Sequence, residues 1–154
     1  MTPEPEIREL TAQPAAVEQA VTDAAGMAAT VDRAFPALLG RLEELGVTPA
    51  GPPFIRYLRT GERLEIQLGV PVPAELEELD ETQRAHLPAG RIAVLRHTGP
   101  YQGLEDAFEQ LQAWVQERGE AVAGPYWEAY VTDPRSEPDS ANWITDLHLP
   151  LRSS

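Results

Sequence analysis

The chain has 154 residues, 42% of them hydrophobic and 24% charged, which is enough for one folded domain with its own core. Its 25 acidic residues outnumber its 12 basic ones, and the net charge of −13 disfavours contact with nucleic acids and anionic membranes. Because there is no cysteine, disulfides, thiolate metal sites and a cysteine nucleophile are excluded.

The amino-terminal segment is acidic and has no apolar core, so it does not resemble a secretory signal. No stretch reaches the roughly eighteen apolar residues of a membrane span, and no basic helix-turn-helix segment is present. We therefore expect a cytoplasmic protein that contacts neither membrane nor nucleic acid directly.

The first half of the chain is predicted to contain strands around one long helix. Apolar residues at three- and four-residue steps from Met27 to Leu45 indicate that helix. Pro36 falls inside it, so we expect a kink there or two separate pieces. Residues 73–89 are acidic and bounded by prolines, and they are expected to connect the two halves. The predicted strands, by residue number, are 6–13, 16–22, 53–59 and 63–70.

The second half reads more clearly as strand, helix, strand, strand. Arg91–His97 alternates like a strand, and Thr98-Gly99-Pro100 opens a helix whose apolar stripe runs from Tyr101 to Val115. Gly119 stands where a helix usually ends. The last two strands are predicted at 125–132 and 142–151, and the segment 133–140 has the composition of a loop.

The two halves share an internal register. Gly46, Gly51 and Tyr57 each have a counterpart of the same type 73 residues later, at Gly119, Gly124 and Tyr130. Further on the offset grows to 79, from Pro71 to Pro150, and loop 133–140 accommodates the insertion. This register indicates duplication of one unit, with repeats at about 5–72 and 90–152 in a single α+β domain.

One predicted strand carries a candidate binding site. Alternation places Tyr126, Glu128 and Tyr130 on one face of it. A buried carboxylate needs a partner, and a cationic ligand between aromatic rings would supply one. The alternative is an exposed face, with Glu128 in water or paired with an arginine. If the repeats pack about a pseudo-two-fold axis, Tyr57 would face Tyr130 across a cleft.

Other candidate residues have simpler interpretations. Trp143 begins the last strand, whose face is expected to be core, although a tryptophan near a strand end can also line a rim. His97 is expected to be a backbone-bonded structural histidine. The three histidines are too scattered to predict a metal site, and we expect neither metal nor cofactor.

These motifs together resemble the GyrI-like small-molecule-binding domain, also called the AraC effector-binding domain, which is similar to the ligand-binding part of the multidrug regulator BmrR. The resemblance covers nearly the whole chain and is strongest over 90–151. It is carried by Arg96-His97-Thr98-Gly99-Pro100-Tyr101, Gly119, Gly124-Pro125, Glu128-Ala129-Tyr130 and Leu149-Pro150-Leu151.

The resemblance implies two βαββ units of the SHS2 type, related by pseudo-two-fold symmetry, with antiparallel sheets, two main helices and a central ligand cleft. Drug-binding members meet a cationic ligand with a buried glutamate, and Glu128 matches that position. The aromatic pocket of the family corresponds to Tyr126, Tyr130, Tyr57 and Trp143. Family regulators carry a DNA-binding domain as well, whereas this sequence resembles a stand-alone bacterial member.

Three functions are compatible with the sequence. The first is binding of a hydrophobic, cationic or planar compound by a sensor or sequestering protein. The second is hydrolysis of a reactive electrophile in the same cleft, with Glu128 activating a water. The third is a protein-interaction role such as inhibition of DNA gyrase, in which the acidic surface mimics DNA. The protein partner for that role is not identified by the sequence.

Overall fold

The computed structural model describes residues 4–133 and 136–152. Pro134 and Arg135 of the predicted loop 133–140 lie outside the described residues. The described part contains the helices α1 (Met27–Glu44) and α2 (Leu104–Glu117). Its strands are β1 (Glu6–Leu10), β2 (Gln13–Thr22), β3 (Phe54–Arg59), β4 (Leu64–Pro71), β5 (Arg84–Leu87), β6 (Gly90–Thr98), β7 (Trp127–Tyr130) and β8 (Ile144–Pro150).

The chain divides into two compact units. The middle unit is Ala12–Pro88, and the terminal unit combines the chain up to Thr11 with the chain from Ala89 onwards. Each contains the predicted order strand, helix, strand, strand, as β2-α1-β3-β4 in one and β6-α2-β7-β8 in the other. The strand pairings within each unit are antiparallel, which confirms the α+β class.

In the middle unit the strands lie in the order β3-β4-β2-β5. Helix α1 covers one face of this sheet, and Leu38 and Leu42 of the helix pack in one core cluster with Ala16 and Val70. Gly46, with φ of 70°, ends the helix, because few other residues adopt that conformation.

The structure refines two predictions for the middle unit. Helix α1 runs through Pro36 as one segment, so the two-piece alternative fails. Its buried stripe holds both halves against the sheet, and this packing outweighs the backbone hydrogen bond that proline removes. The connecting segment 73–89 contains the additional strand β5, which pairs with β2 from Gln13 to Ala16. Its four residues, followed by Pro88, are too few to give a periodic signal.

In the terminal unit the order is β1-β6-β8-β7. The early strand β1 pairs with β6, from Glu6 opposite Val94 to Leu10 opposite Gly90. Helix α2 packs on one face of the sheet through Leu111 and Val115. The helix ends before Gly119, which has φ of 71°. The predicted match between Gly46 and Gly119 is therefore confirmed as a pair of equivalent helix ends.

The described residues contain no helix that is both long and apolar enough to cross a bilayer. Within the same residues, no group of three or more histidine, aspartate or glutamate side chains is arranged to hold a metal ion.

We predict that Gly69→Ala destabilises the protein by about 1–3 kcal/mol through overpacking. Gly69 lies opposite Phe54, and an added Cβ would come within 2.3 Å of the buried Phe54 ring. Urea unfolding followed by circular dichroism measures the change.

Gly40→Ala is the matched control in the same unit. Gly40 is an exposed residue of α1, and an added Cβ would meet no atom within 4 Å. This change should stabilise the protein by about 0.5–1 kcal/mol because alanine loses less backbone entropy in a helix. Equal effects of the two substitutions would contradict the packing argument.

Candidate functional site

Strand β7 places Glu128 on the helix-covered face of the terminal unit. Glu128 lies opposite Leu147 of β8, and Leu147 belongs to the core cluster that includes Leu111 of α2. Only 6% of Glu128 is exposed. The alternative in which Glu128 stands in water is therefore wrong.

Two tyrosine hydroxyls meet the Glu128 carboxylate. The Tyr130 hydroxyl donates a hydrogen bond of 2.7 Å to Oε2 of Glu128. The pKa of Tyr126 is raised above its ordinary range by burial, by the negative charge of Glu128 and by a hydrogen bond to that carboxylate. Tyr126 thus remains a protonated donor, and phenol hydrogen bonds help to offset the cost of removing the carboxylate from water.

Aromatic rings extend from this carboxylate and form, together with it, what we call the Glu128 cluster: Glu128, Tyr101, Tyr126, Tyr130 and Trp143. The Tyr101 ring meets the Tyr130 ring edge to face, with centroids 5.8 Å apart and planes at 65°. It also lies 4.7 Å from the Trp143 ring at 37°. Tyr126 stacks on Phe108 of α2, with centroids 4.0 Å apart. The cluster therefore offers one anionic group and several ring faces.

The electrostatic environment of the cluster is negative. Burial raises the pKa of the Tyr101 hydroxyl, and the charges of Asp133 and Glu128 raise it further. A site that disfavours an additional negative charge in this way favours a positive one. Aromatic faces attract cations as well, by about 0.5–2 kcal/mol for each ring.

The turn before α2 positions Tyr101. A ring nitrogen of His97 donates to the carbonyl oxygen of Pro100 at 3.0 Å, which confirms the structural role predicted for this histidine. The Gly99 amide donates to the Trp143 carbonyl at 2.8 Å. A Cβ on Gly103 would come within 2.7 Å of the His97 ring, so a larger residue there would have to displace that ring. The motif from His97 to Tyr101 therefore sets the position of an aromatic side chain beside Trp143.

On the opposite face, β7 is held by other side chains. Trp127 stacks on His148 with ring centroids 4.7 Å apart and planes 4° from parallel. On the same face, Arg96 of β6 donates two hydrogen bonds to Asp146 of β8, at 2.8 and 3.0 Å. The side chain of Asp146 in this ion pair is only 13% exposed.

The structure thus brings together four of the five predicted site residues: Tyr126, Glu128, Tyr130 and Trp143. Trp143 sits just before β8, and its indole nitrogen donates to the Glu137 carbonyl at 2.8 Å. The fifth residue, Tyr57, belongs to the middle unit, where it is half-buried on β3 opposite Ile66. Its role in binding stays a prediction.

Sequence reasoning missed Tyr101 and Phe108. The sequence places Tyr101 at the start of the apolar helical stripe. In the structure it begins the short 3₁₀ turn Tyr101–Gly103, and α2 starts only at Leu104. The turn residues Gly99 and Pro100 directly before it were the available signal, because a residue beside a turn need not follow the helical stripe. Phe108 is a stripe residue like its neighbours, and nothing in the sequence sets it apart.

Comparison with known proteins places the chain in one family. The sequence model of the GyrI-like small molecule binding domain matches residues 3–152. A search of curated proteins gave no match.

Solved structures share the fold. The EcmrR C-terminal domain has a TM-score of 0.85 at 19% identity, over 100% of both chains. A chain of the EcmrR–DNA complex has a TM-score of 0.84 at 18% identity. The match covers 98% of this chain but only 58% of the chain in the complex.

Two further structures of the same fold carry a bound ligand or a named activity. SAV2435, solved with bound tetraphenylphosphonium, has a TM-score of 0.71 at 13% identity, over 97% of this chain and 94% of that chain. A hydrolase from Listeria innocua has a TM-score of 0.68 at 13% identity, with coverage of 98% and 93%. At these identities the structural likeness establishes the fold alone.

The stack that anchors β7 predicts a pH dependence of stability. Burial lowers the pKa of His148 from 6.5 to about 4, although the charge of Asp146 acts in the opposite direction. The unfolded chain therefore takes up a proton below about pH 6.5 that the folded chain does not, so stability falls as the pH falls. Between about pH 7 and pH 5 this difference amounts to about 2 kcal/mol.

The measurement is urea unfolding of the wild type and of His148→Phe at both pH values. The phenylalanine retains a ring against Trp127 but cannot take up a proton. Its loss of stability between the two pH values should be smaller than that of the wild type by about 2 kcal/mol. Identical losses would mean that His148 does not carry the effect.

Proposed function

The chain belongs to the GyrI-like small molecule binding domain family, and we propose that its Glu128 cluster binds hydrophobic, planar or bulky organic cations. The observation that carries this proposal is the 6% exposed Glu128 carboxylate, met by tyrosine hydroxyls and surrounded by rings. In this proposal, the carboxylate neutralises the ligand charge while Tyr101, Tyr130 and Trp143 contact its apolar surface.

The choice of a cation over a neutral compound rests on charge. Glu128 and Asp133 both act on the Tyr101 hydroxyl, and the net charge of −13 attracts cations over a longer range. A cation would add a charge partner to the tyrosine hydroxyls that already meet the carboxylate, whereas a neutral ligand would not. The neighbour SAV2435 with bound tetraphenylphosphonium supports this chemistry as a first probe.

The biological role that we propose is that of a sensor or a sequestering protein for such compounds. Hydrolysis is the second candidate, and a hydrolase of the same fold supports it. In that case Glu128, already hydrogen-bonded to Tyr130, would orient or deprotonate a water. Analysis of the compound after incubation separates the two roles, because a bound ligand is recovered unchanged whereas a substrate is converted to product.

We expect Glu128→Gln to weaken tetraphenylphosphonium binding about tenfold to a hundredfold, which corresponds to about 1.4–2.7 kcal/mol. The amide retains a hydrogen-bond acceptor for Tyr130 but removes the charge that the cation meets. Isothermal titration calorimetry at low salt gives the affinity, and a thermal melt confirms that the variant is folded.

Glu109→Gln is the charge-matched control. Glu109 is an exposed residue of α2, and its substitution changes the net charge by the same amount as Glu128→Gln. Its affinity should equal that of the wild type. If Glu128→Gln also bound the cation as tightly as the wild type, the role assigned to Glu128 would be wrong.

Substitutions of Tyr101 test whether its ring or its hydroxyl contributes to binding. Tyr101→Phe keeps the ring beside Trp143 and Tyr130, so the affinity for the cation should change less than about twofold. Tyr101→Ala removes one ring face and should weaken binding about threefold to thirtyfold, in line with about 0.5–2 kcal/mol for one cation–ring contact. Calorimetry with the same cation measures both, and a larger loss for phenylalanine than for alanine would refute the ring contact.

A further inference from the structure

The middle unit contains a groove that is separate from the Glu128 cluster. It lies between β2, α1 and the 3₁₀ turn Glu81–Gln83, with a volume of about 220 Å³. Its floor is apolar and made of side chains that are each at most 7% exposed: Ala16, Leu38, Leu42 and Leu79. No residue of the Glu128 cluster lines it.

The rim of the groove presents hydrogen-bond donors. Arg41 lines it, and the only salt bridge of Arg41 within the described residues is a contact of 3.2 Å to Glu44, with side chains 45% and 70% exposed. Such an exposed pair holds the guanidinium weakly. Gln83 also lines the groove, and its side-chain oxygen accepts from the Asp80 amide at 3.3 Å. That bond fixes the orientation of the amide, whose NH₂ group is a donor.

The acidic residue of the rim has a cationic partner of its own, although this pair is exposed as well. Glu18 accepts two contacts from Arg33, at 3.1 and 3.3 Å. Arg41 is therefore the charge at the rim that an incoming group can engage, since displacement of its weak partner Glu44 costs little. An arginine and an amide donor above an apolar floor are complementary to a carboxylate carried by a hydrophobic group.

We propose that this groove is a second small-molecule site, which takes a compact apolar monocarboxylate. The carboxylate would bind to Arg41 and Gln83, and the apolar part would rest on Leu38, Leu42 and Leu79. At the packing density of protein interiors, a filled groove holds about 160 Å³ of ligand, or roughly ten non-hydrogen atoms. The site would thus accept a ligand of opposite charge to the one proposed for the Glu128 cluster.

Phenylacetate is the probe, and phenylacetamide is its uncharged counterpart of the same shape. Both are titrated into ¹⁵N-labelled full-length protein and followed by amide chemical shifts. We expect phenylacetate to shift the amides of the groove residues in a saturable manner and phenylacetamide to bind at least tenfold more weakly. Equal affinities, or shifts that map elsewhere, would overturn the proposal.

Three variants test whether phenylacetate binds in the groove. Arg41→Gln should weaken phenylacetate binding at least fivefold, whereas Arg63→Gln, an equal charge change at an exposed residue that does not line the groove, should leave it unchanged. Ala37 is exposed at the mouth of the groove, and Ala37→Trp should abolish saturable binding without unfolding the protein. Retained binding in Ala37→Trp, or equal losses in the two arginine variants, would refute the site.

The proposal for the groove and the proposal for the Glu128 cluster can be tested independently of each other. Glu128→Gln should bind phenylacetate as the wild type does, and Arg41→Gln should bind tetraphenylphosphonium as the wild type does. Tighter phenylacetate binding in Glu128→Gln would show that the carboxylate enters the Glu128 cluster, because removal of a like charge favours it there, and would contradict the second site.

Discussion

The buried carboxylate of Glu128 is the constraint on which the terminal unit depends. An ionised group with 6% exposure is unfavourable in an apolar strand unless other groups compensate for its lost hydration. The hydroxyls of Tyr126 and Tyr130 provide part of that compensation through hydrogen bonds. Their rings also shield the carboxylate from solvent, which strengthens every electrostatic interaction made with it. The same arrangement therefore stabilises Glu128 and makes it an effective partner for a cation.

Such a site works only if the strand that carries it is held in place. Strand β7 has four residues, too few for the ladder to β8 alone to fix it firmly. Trp127, stacked on His148, anchors its other face. The turn from His97 to Tyr101 places the Tyr101 ring against Trp143 and is tied to Trp143 by the Gly99 amide. Binding residues on short elements are thus supported by contacts that no ligand touches.

The sequence predicted the structural features that follow from periodic residue patterns. It did not predict the features that depend on contacts between segments distant in the chain. The apolar stripe of α2, the alternation that put Tyr126, Glu128 and Tyr130 on one face, and the helix ends at Gly46 and Gly119 follow from local rules. Pairing of β1 with β6 joins segments about 85 residues apart in sequence, and no local pattern reports it. The burial of Glu128 could be inferred only as an alternative, because burial depends on helix α2 packing above the sheet.

The two units differ at the position that carries the acid. The 73-residue offset matches Glu128 to Ile55, which is 2% exposed and lies opposite Leu68 as Glu128 lies opposite Leu147. In the middle unit the residue matching Tyr126 is Pro53, which has no hydroxyl to donate. A carboxylate at Ile55 would therefore lack one of the two donors that stabilise Glu128, and an apolar residue is the stable choice. The two units share the order strand, helix, strand, strand, and they differ at the position where burial of a charge needs specific neighbours.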